Sequence, residues 1–373
     1  MIHGHGGNIY RLAERLGCRP EQIDDVSSNI NPLGPPPGLM AFLKERMAVV
    51  CALPEVDSRN TEAQMAGFLG VEPQSLLAGA GTTQFIYSMY PALESDKILI
   101  LGPTYSDYAD ACRQRRMQPS YLLATAENRF QPDLQRLDHL AGRVDTVVIC
   151  NPNNPTGVLI PRNLLRDLCR RHADTRFVID ESYLGFLPKA EQESMVSSGL
   201  DNVIVLHSLS KLYRLPGLRI GFLTAAPEVV DRFRAVRTPW SLNSLAQAAV
   251  RYVATHAQTM AQFVEQSRTF VVGERQLLFE RLNAAVRLQA FPSHTPFFLV
   301  ELPDEWRAPH VWERFAREGV LIRDCSNFVG LDDRFIRIAI NQPEINRKVA
   351  RMLAGLCTSA DGYDLRPLAD RER

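Results

Sequence analysis

A mainly parallel α/β sheet, covered by helices on both faces and followed by a smaller α+β domain, is the fold this sequence predicts. Three observations predict it. Short, continuously apolar runs alternate with helical segments between residues 75 and 206, the pattern of strands buried on both faces and joined by crossovers. The 373 residues are 45% hydrophobic, enough for a large core and about two or three domain-sized units. Finally, polar clusters follow directly on the strand ends, where open α/β sheets bind their ligands.

The elements follow in order. Ile9 to Leu16 reads as a short helix capped by Asn8 and stopped at Gly17. Ser27-Ser28-Asn29-Ile30-Asn31-Pro32-Leu33-Gly34-Pro35-Pro36-Pro37 excludes regular structure; it is a linker or, since ordered loops carry function, a pocket lining. Helices are expected over 39–50 and 61–69. Residues 75–89 read as strand, glycine turn and helix, and the open start of that helix is suited to an anion. Strands over 97–101, 146–150, 176–179 and 202–206 then alternate with helices over 106–116 and 161–172. Long helices fill 244–284. Strands at 296–302, 320–323 and 335–340, with helices at 308–318 and 342–356, form the smaller domain. The polar tail from Ala360 to Arg373 is expected to fray. The division is an N-terminal arm and pocket-lining segment (1–38), a large domain (39–245), and long helices with a small C-terminal domain (246–373).

Composition excludes several classes. Lys+Arg and Asp+Glu are equal at 42 each, so no global field draws the chain to nucleic acid or an anionic membrane. The 7 cysteines are odd in number, scattered, and without a CxxC pair, which argues for reduced thiols and against a disulfide framework or a zinc site. No segment reads as a signal peptide, and no apolar run approaches the ~18 residues of a membrane span. A soluble cytoplasmic protein is expected. Neither GxGxxG nor GxxxxGK occurs, so the dinucleotide and nucleotide fingerprints are missing.

The chemistry gathers after the strand Asn202–Leu206, in His207-Ser208-Leu209-Ser210-Lys211-Leu212. Apolar surroundings push a lysine toward the neutral amine, which can form a Schiff base with an aldehyde. Ser208 and Ser210 before it, and Arg219 after it, are suited to a phosphate dianion. Asp180 follows a buried strand; a buried carboxylate needs a cationic partner, and a protonated pyridine nitrogen is one. A helix cap or an ordinary salt bridge is the structural alternative. Asn154 and Tyr183 can hydrogen-bond a phenolate oxygen, and Tyr105 can stack on a ring.

Taken together, Asn154-Pro155-Thr156-Gly157, Asp180-x-x-Tyr183 and Ser208-x-Ser210-Lys211 with Arg219 resemble the fold type I pyridoxal-phosphate aminotransferase superfamily over essentially the whole chain. The resemblance implies a seven-stranded-type sheet and pyridoxal 5′-phosphate as cofactor. Lys211, Asp180 and Tyr183 would be catalytic. Gly81, Thr82, Thr83, Ser208, Ser210 and Arg219 would hold the cofactor phosphate. Asn154 and Tyr183 would hold the phenolate oxygen, with Tyr105 stacking. Arg323 and Arg337 match the superfamily's substrate-anion arginines.

Within the superfamily the chain resembles the histidinol-phosphate aminotransferase branch, and inside it the threonine-phosphate decarboxylases of cobamide synthesis. The carriers are His5-Gly6-Gly7-Asn8, Asn29-Ile30-Asn31-Pro32-Leu33-Gly34, Pro239-Trp240-Ser241-Leu242-Asn243 and Leu321-Ile322-Arg323-Asp324-Cys325-Ser326-Asn327. The implied activity is decarboxylation of L-threonine O-3-phosphate to aminopropanol phosphate, with His5, Asn31 and Asn154 also binding substrate. Alternatives are histidinol-phosphate transamination, or decarboxylation of serine phosphate or a phosphonate amino acid. A homodimer with shared active sites is implied. Two positions depart from the branch: Leu53-Pro54 stands where Tyr-Pro is usual, and Ala80-Gly81-Thr82-Thr83-Gln84 replaces a turn with Asn-Gly and an acidic residue. A non-catalytic binding protein on the same scaffold is the rival class; retention of Lys211, Asp180 and Arg219 argues against it.

Overall fold

Alternation within each strand decides how the sheet is covered. Leu77, Val148, Val178, Ile204 and Leu223 belong to one buried cluster, whereas Val147, Ile149, Phe177, Ile179 and Val205 belong to another. Successive side chains point to opposite faces, so both faces are packed and the strands read as unbroken apolar runs. The structure, a computed structural model, describes residues 6–285 and 287–358. His5 and the tail from Ala360 to Arg373 lie outside the described residues.

In chain order the strands are β1 (Asp24–Asp25), β2 (Leu76–Gly79), β3 (Ile98–Gly102), β4 (Ser120–Leu123), β5 (Thr146–Cys150), β6 (Arg176–Asp180), β7 (Val203–Ser208), β8 (Gly221–Thr224), β9 (Gln289–Ala290), β10 (Phe297–Glu301), β11 (Val320–Leu321), β12 (Arg323–Asp324) and β13 (Phe335–Ala339). The seven-stranded sheet has the order β2-β8-β7-β6-β5-β3-β4. Only β8 runs against its neighbours; the other described pairings in this sheet are parallel. The start of β8 therefore lies at the same edge as the ends of β2 and β7. Helices Thr82–Leu93, Asp107–Gln114 and Pro227–Ala235 cover one face. Leu134–Ala141 and Arg162–Arg171 cover the other.

The smaller unit is an antiparallel sheet of order β12-β13-β10-β9. The helix Ala257–Asn283 joins the two cores. Its 27 residues span about 40 Å, with Met260 and Phe263 in the large-domain core and Val271, Leu278 and Leu282 in the small-domain core.

Several expectations shift. The helix expected over 39–50 ends at Glu45 and passes into a 3-10 turn, Met47–Cys51. The strand expected over 320–323 divides: β11 pairs with β1 of the arm, and β12 pairs with β13. The arm is thus tied to the small domain by backbone bonds at Asp24 and Asp25. β4, β8, β9 and the helix Pro227–Ala235 were not anticipated. β4 lies at the sheet edge with Ser120 and Leu123 exposed, so it lacks the apolar run that marks the central strands.

Candidate active site

Register builds the site before any side chain is considered. Gly79 and Ser208 both pair with Gly221, so the ends of β2 and β7 flank the start of β8. Two strands away, Asp180 pairs with Cys150 on one side and Leu206 on the other. The loops leaving this edge line a cavity of about 470 Å3. Lys211, Asp180, Tyr183, Gly81, Thr82, Thr83, Tyr105, Asn154, Ser208, Ser210, Arg219, Arg323 and Arg337 all reach it.

Lys211 sits in a single helical turn, Leu209–Leu212, directly after β7. Burial first, and then the cations Arg337 and Arg219, push its ammonium down to about 8. Its Nζ is 6.0 Å from the centre of the Tyr183 ring. Asp180 is buried at the end of β6. Its Oδ1 accepts from the Ser182 N–H at 2.9 Å and its Oδ2 from the Tyr108 hydroxyl at 2.8 Å. Burial raises the Asp180 carboxyl, and these donors oppose that shift. Among the described residues no Lys, Arg or His nitrogen lies within 4.0 Å of it. Tyr183 accepts from Asn29 Nδ2 at 3.2 Å, and burial moves its phenol up to about 12.

Beside Lys211 the chain forms an anion cradle. Gly81 stands at φ 79° before the helix Thr82–Leu93, and a Cβ there would lie 2.7 Å from Arg219 Nη2. A Cβ at Gly221 would meet the Thr82 nitrogen at 2.4 Å. The backbone approach at Gly221 and the left-handed φ at Gly81 require glycine. The departure at Gln84 has a visible consequence: its Oε1 accepts the Ala80 N–H at 2.7 Å, which braces the turn. Arg219 is held at φ 54°, a left-handed backbone uncommon for a side-chain-bearing residue. Its Nη2 reaches Thr83 Oγ1 at 3.4 Å.

Across the cavity, the small domain contributes two buried arginines. Arg337, on β13, donates to Asn154 Oδ1 and, at 2.7 Å, to the Ser27 carbonyl. Its Nε has no partner. Arg323, on β12, donates to the Asp324 carbonyl at 2.6 Å and to Asn327 Oδ1 at 2.7 Å. Its guanidinium lies 4.9 Å from the centre of the Phe328 ring. Burial lowers both guanidinium groups, Arg323 to about 10. Among the described residues neither makes a salt bridge. Buried charges without counter-ions are costly, so the pair suits an anionic ligand.

One expectation is corrected. Asn31 is fully buried and does not line the cavity. Its Nδ2 donates to the Leu212 carbonyl at 2.8 Å and to Ser267 Oγ at 2.7 Å, while its own N–H donates to the Lys211 carbonyl at 3.0 Å. It braces the lysine turn from beneath instead of meeting substrate. Tyr108, Ser182, Asn29 and Phe328 were missed. Asn29 carried a signal, standing in the loop read as a pocket lining; Tyr108, in the first turn of the helix Asp107–Gln114, carried none.

This sheet, with a lysine and a carboxylate at the carboxyl edge and an anion cradle beside them, defines a fold type I pyridoxal-phosphate enzyme. The family described as aminotransferase class I and II matches residues 27–353, and the chain belongs to it. Among relatives, an adenosylcobalamin biosynthesis bifunctional protein of Leptospira interrogans is 29% identical over 92% of this chain, which spans 40% of that protein's length. Threonine-phosphate decarboxylase of Salmonella typhimurium is 29% identical over 95% of this chain and 96% of its own. The crystal structure of histidinol-phosphate aminotransferase from Clostridium acetobutylicum has a TM-score of 0.81 and 26% identity, covering 90% of this chain and 99% of that one.

Pyridoxal 5′-phosphate is the cofactor this family implies, and the residues fit it. Ser210 Oγ is buried beside the cradle with no partner among the described residues, a donor awaiting an acceptor. Asp180 is a buried carboxylate with neutral donors on both oxygens and room in the cavity for a cation.

Proposed function

We propose that this protein decarboxylates L-threonine O-3-phosphate to aminopropanol phosphate and CO2, serving assembly of the nucleotide loop of cobamides. The observation that carries the reading is the Arg323–Arg337 pair, buried without carboxylate partners in the cavity that also holds Lys211 and Asp180. Two guanidinium groups suit a substrate with two anions, a carboxylate and a phosphate. The Salmonella relative's name supports this choice of substrate. The Clostridium structure favours a second reading, histidinol-phosphate transamination.

When bound, the cofactor supplies an electron sink for the bond broken at the substrate's α-carbon. Asp180, whose charged form Ser182 and Tyr108 favour, would hold the ring nitrogen. Ser208, Ser210, Arg219 and the Gly81-Thr82-Thr83 backbone hold the cofactor phosphate. Asn154 and Tyr183 hold the phenolate oxygen, and Tyr105 covers the ring. Arg323 and Arg337 fix the substrate's anions and so select which bond is placed to break. As the carbon–carboxylate bond breaks and CO2 leaves, Lys211 Nζ delivers a proton to the α-carbon. In the transaminase reading the same Nζ removes the α-proton instead.

The test is purified protein incubated with L-threonine phosphate, with CO2 and aminopropanol phosphate followed together. Serine phosphate and a phosphonate analogue complete the panel; one methyl in a hydrophobic pocket is worth about 10–200-fold in discrimination. Transfer of the amino group from histidinol phosphate to 2-oxoglutarate, with no CO2 from any phospho-amino acid, would reject the proposal. We also propose a homodimer. An exposed apolar strip, Met40, Met47, Val50, Leu53 and Val56 with Trp240, supports it.

A further inference from the structure

The mechanism needs an ionised Asp180, yet burial drives a carboxyl toward its neutral form. Among the described residues no cationic nitrogen lies within 4.0 Å of Asp180, and the charge of Lys211 opposes the shift from farther off and least of the opposing groups. The stronger opposition is hydrogen bonding to the charged oxygens, from Ser182 first and Tyr108 next. One donor, the Ser182 N–H, is backbone and comes with the loop. The other is the hydroxyl of Tyr108, a residue just 1% exposed.

Tyr108 is itself fixed from three sides. It lies on the helix Asp107–Gln114, whose N-terminal turn follows Tyr105. Its carbonyl accepts the Tyr90 hydroxyl at 2.9 Å. Its ring meets that of Tyr105 edge-on, at 5.8 Å between centres and 87° between planes. These contacts hold the helix turn and the ring in place with the hydroxyl on Asp180, and the aromatic pair joins Tyr108 to Tyr105.

We propose that Tyr108 is a positioning residue: its hydroxyl holds Asp180 charged and aimed into the cavity, and thereby keeps the proton on the cofactor's ring nitrogen instead of on the carboxylate. The inference rests on the cofactor assignment and is independent of which substrate is used. Without the phenol, the Asp180 oxygen is a stronger base, and the shared proton moves from the ring nitrogen toward the carboxylate. A hydrogen bond to a charged group is worth about 10–100-fold in an equilibrium, and that is the loss expected in cofactor affinity.

The experiment loads wild-type and Tyr108→Phe protein with pyridoxal phosphate labelled with 15N in the ring. Cofactor affinity is measured by titration, and the ring-nitrogen NMR signal is followed against pH. Wild-type protein should show the pyridinium position. Tyr108→Phe should show the signal moved toward neutral pyridine, with affinity about 10–100-fold weaker. Tyr90→Phe, which removes another buried hydroxyl one bond further away, should lower stability and leave the signal in place. A Tyr108→Phe holoenzyme with the wild-type nitrogen signal overturns the proposal and leaves the cofactor assignment standing. Wild-type protein that takes up no cofactor overturns both. Where Tyr108→Phe does not fold, 3-fluorotyrosine at position 108 keeps the shape and strengthens the donor. The ring-nitrogen signal should then lie at or beyond the wild-type pyridinium position, and a signal moved toward neutral pyridine would count against the proposal.

Discussion

Lys211 is the residue whose chemistry depends most directly on its surroundings. Its ammonium is lowered from 10.5 to about 8, first by burial and then by two arginines. In the unfolded chain it binds its proton up to the higher value, so between pH 8 and 10.5 the unfolded state holds more protons. Stability of the cofactor-free protein should therefore rise with pH across that window. Lys211→Met should stabilise the cofactor-free protein at pH 7 by about 2 kcal/mol, less than the full shift implies because the residue keeps some solvent contact. The gain should vanish near pH 10.5, as urea midpoints at the two pH values would reveal, and turnover should fall by at least about 10^3-fold. Arg323→Gln removes charge without removing the backbone of β12. It should raise KM about 10–100-fold, with a smaller change in kcat. Residues that carry chemistry after a strand were legible because position and type coincide. Asn31 misled because an amide in a proline-rich loop looks the same whether it braces a backbone or meets a ligand. Only the tertiary partners Leu212 and Ser267 tell the two apart.

At the scale of elements, central strands declared themselves and edge elements did not. β5 and β6 are buried on both faces and apolar through Val147–Cys150 and Phe177–Ile179, so their boundaries could be read closely. β8 begins with glycine, whose need arises from the Thr82 backbone packed against it, a contact between segments far apart in sequence. The clamp on β2 was equally hidden. Glu62, from the helix Arg59–Leu69, is buried and accepts from the Ala78 N–H at 3.1 Å, Arg237 at 2.8 Å and Arg234 at 3.1 Å. Arg237 also donates to the Ala78 and Asp57 carbonyls. Ala78 lies three residues before Gly81, so the clamp anchors the strand that delivers the anion cradle. Removing one partner of a buried ion network strands the others and costs about 3–5 kcal/mol. Glu62→Ala should lose stability on that scale in urea, whereas Glu62→Gln, which keeps an acceptor, should lose less. Weaker cofactor affinity in both would confirm that the clamp reaches the site.

For the molecule as a whole, the two-core plan was legible from the change of pattern after residue 284, but nothing in the pattern showed how the arm joins the small domain. That join is made by two backbone pairings, Asp24 with Val320 and Asp25 with Leu321, which no periodicity announces. The same scale governs the proposed dimer. Leu53 is 78% exposed, Val50 55% and Met47 51%, more apolar surface than a run of neighbours normally leaves in water. The Trp240 backbone N–H donates to the Val56 carbonyl at 3.2 Å, so this residue adjoins the strip. Asn243 then donates to the Leu218 carbonyl at 2.8 Å, one residue from Arg219. Association through this strip would therefore press on the segment that presents the cradle's arginine. A charge buried at such an interface without a partner is strongly unfavourable. Val50→Asp combined with Leu53→Asp should convert a dimer to a monomer in sedimentation equilibrium while leaving the far-ultraviolet circular dichroism intact. Because Asn243, three residues after Trp240, bonds the Leu218 carbonyl, that monomer should also bind pyridoxal phosphate more weakly than the dimer. A double variant that sediments as the wild type does would remove this strip from the interface. One that is monomeric yet binds the cofactor with unchanged affinity would show that the cradle is complete within a single chain.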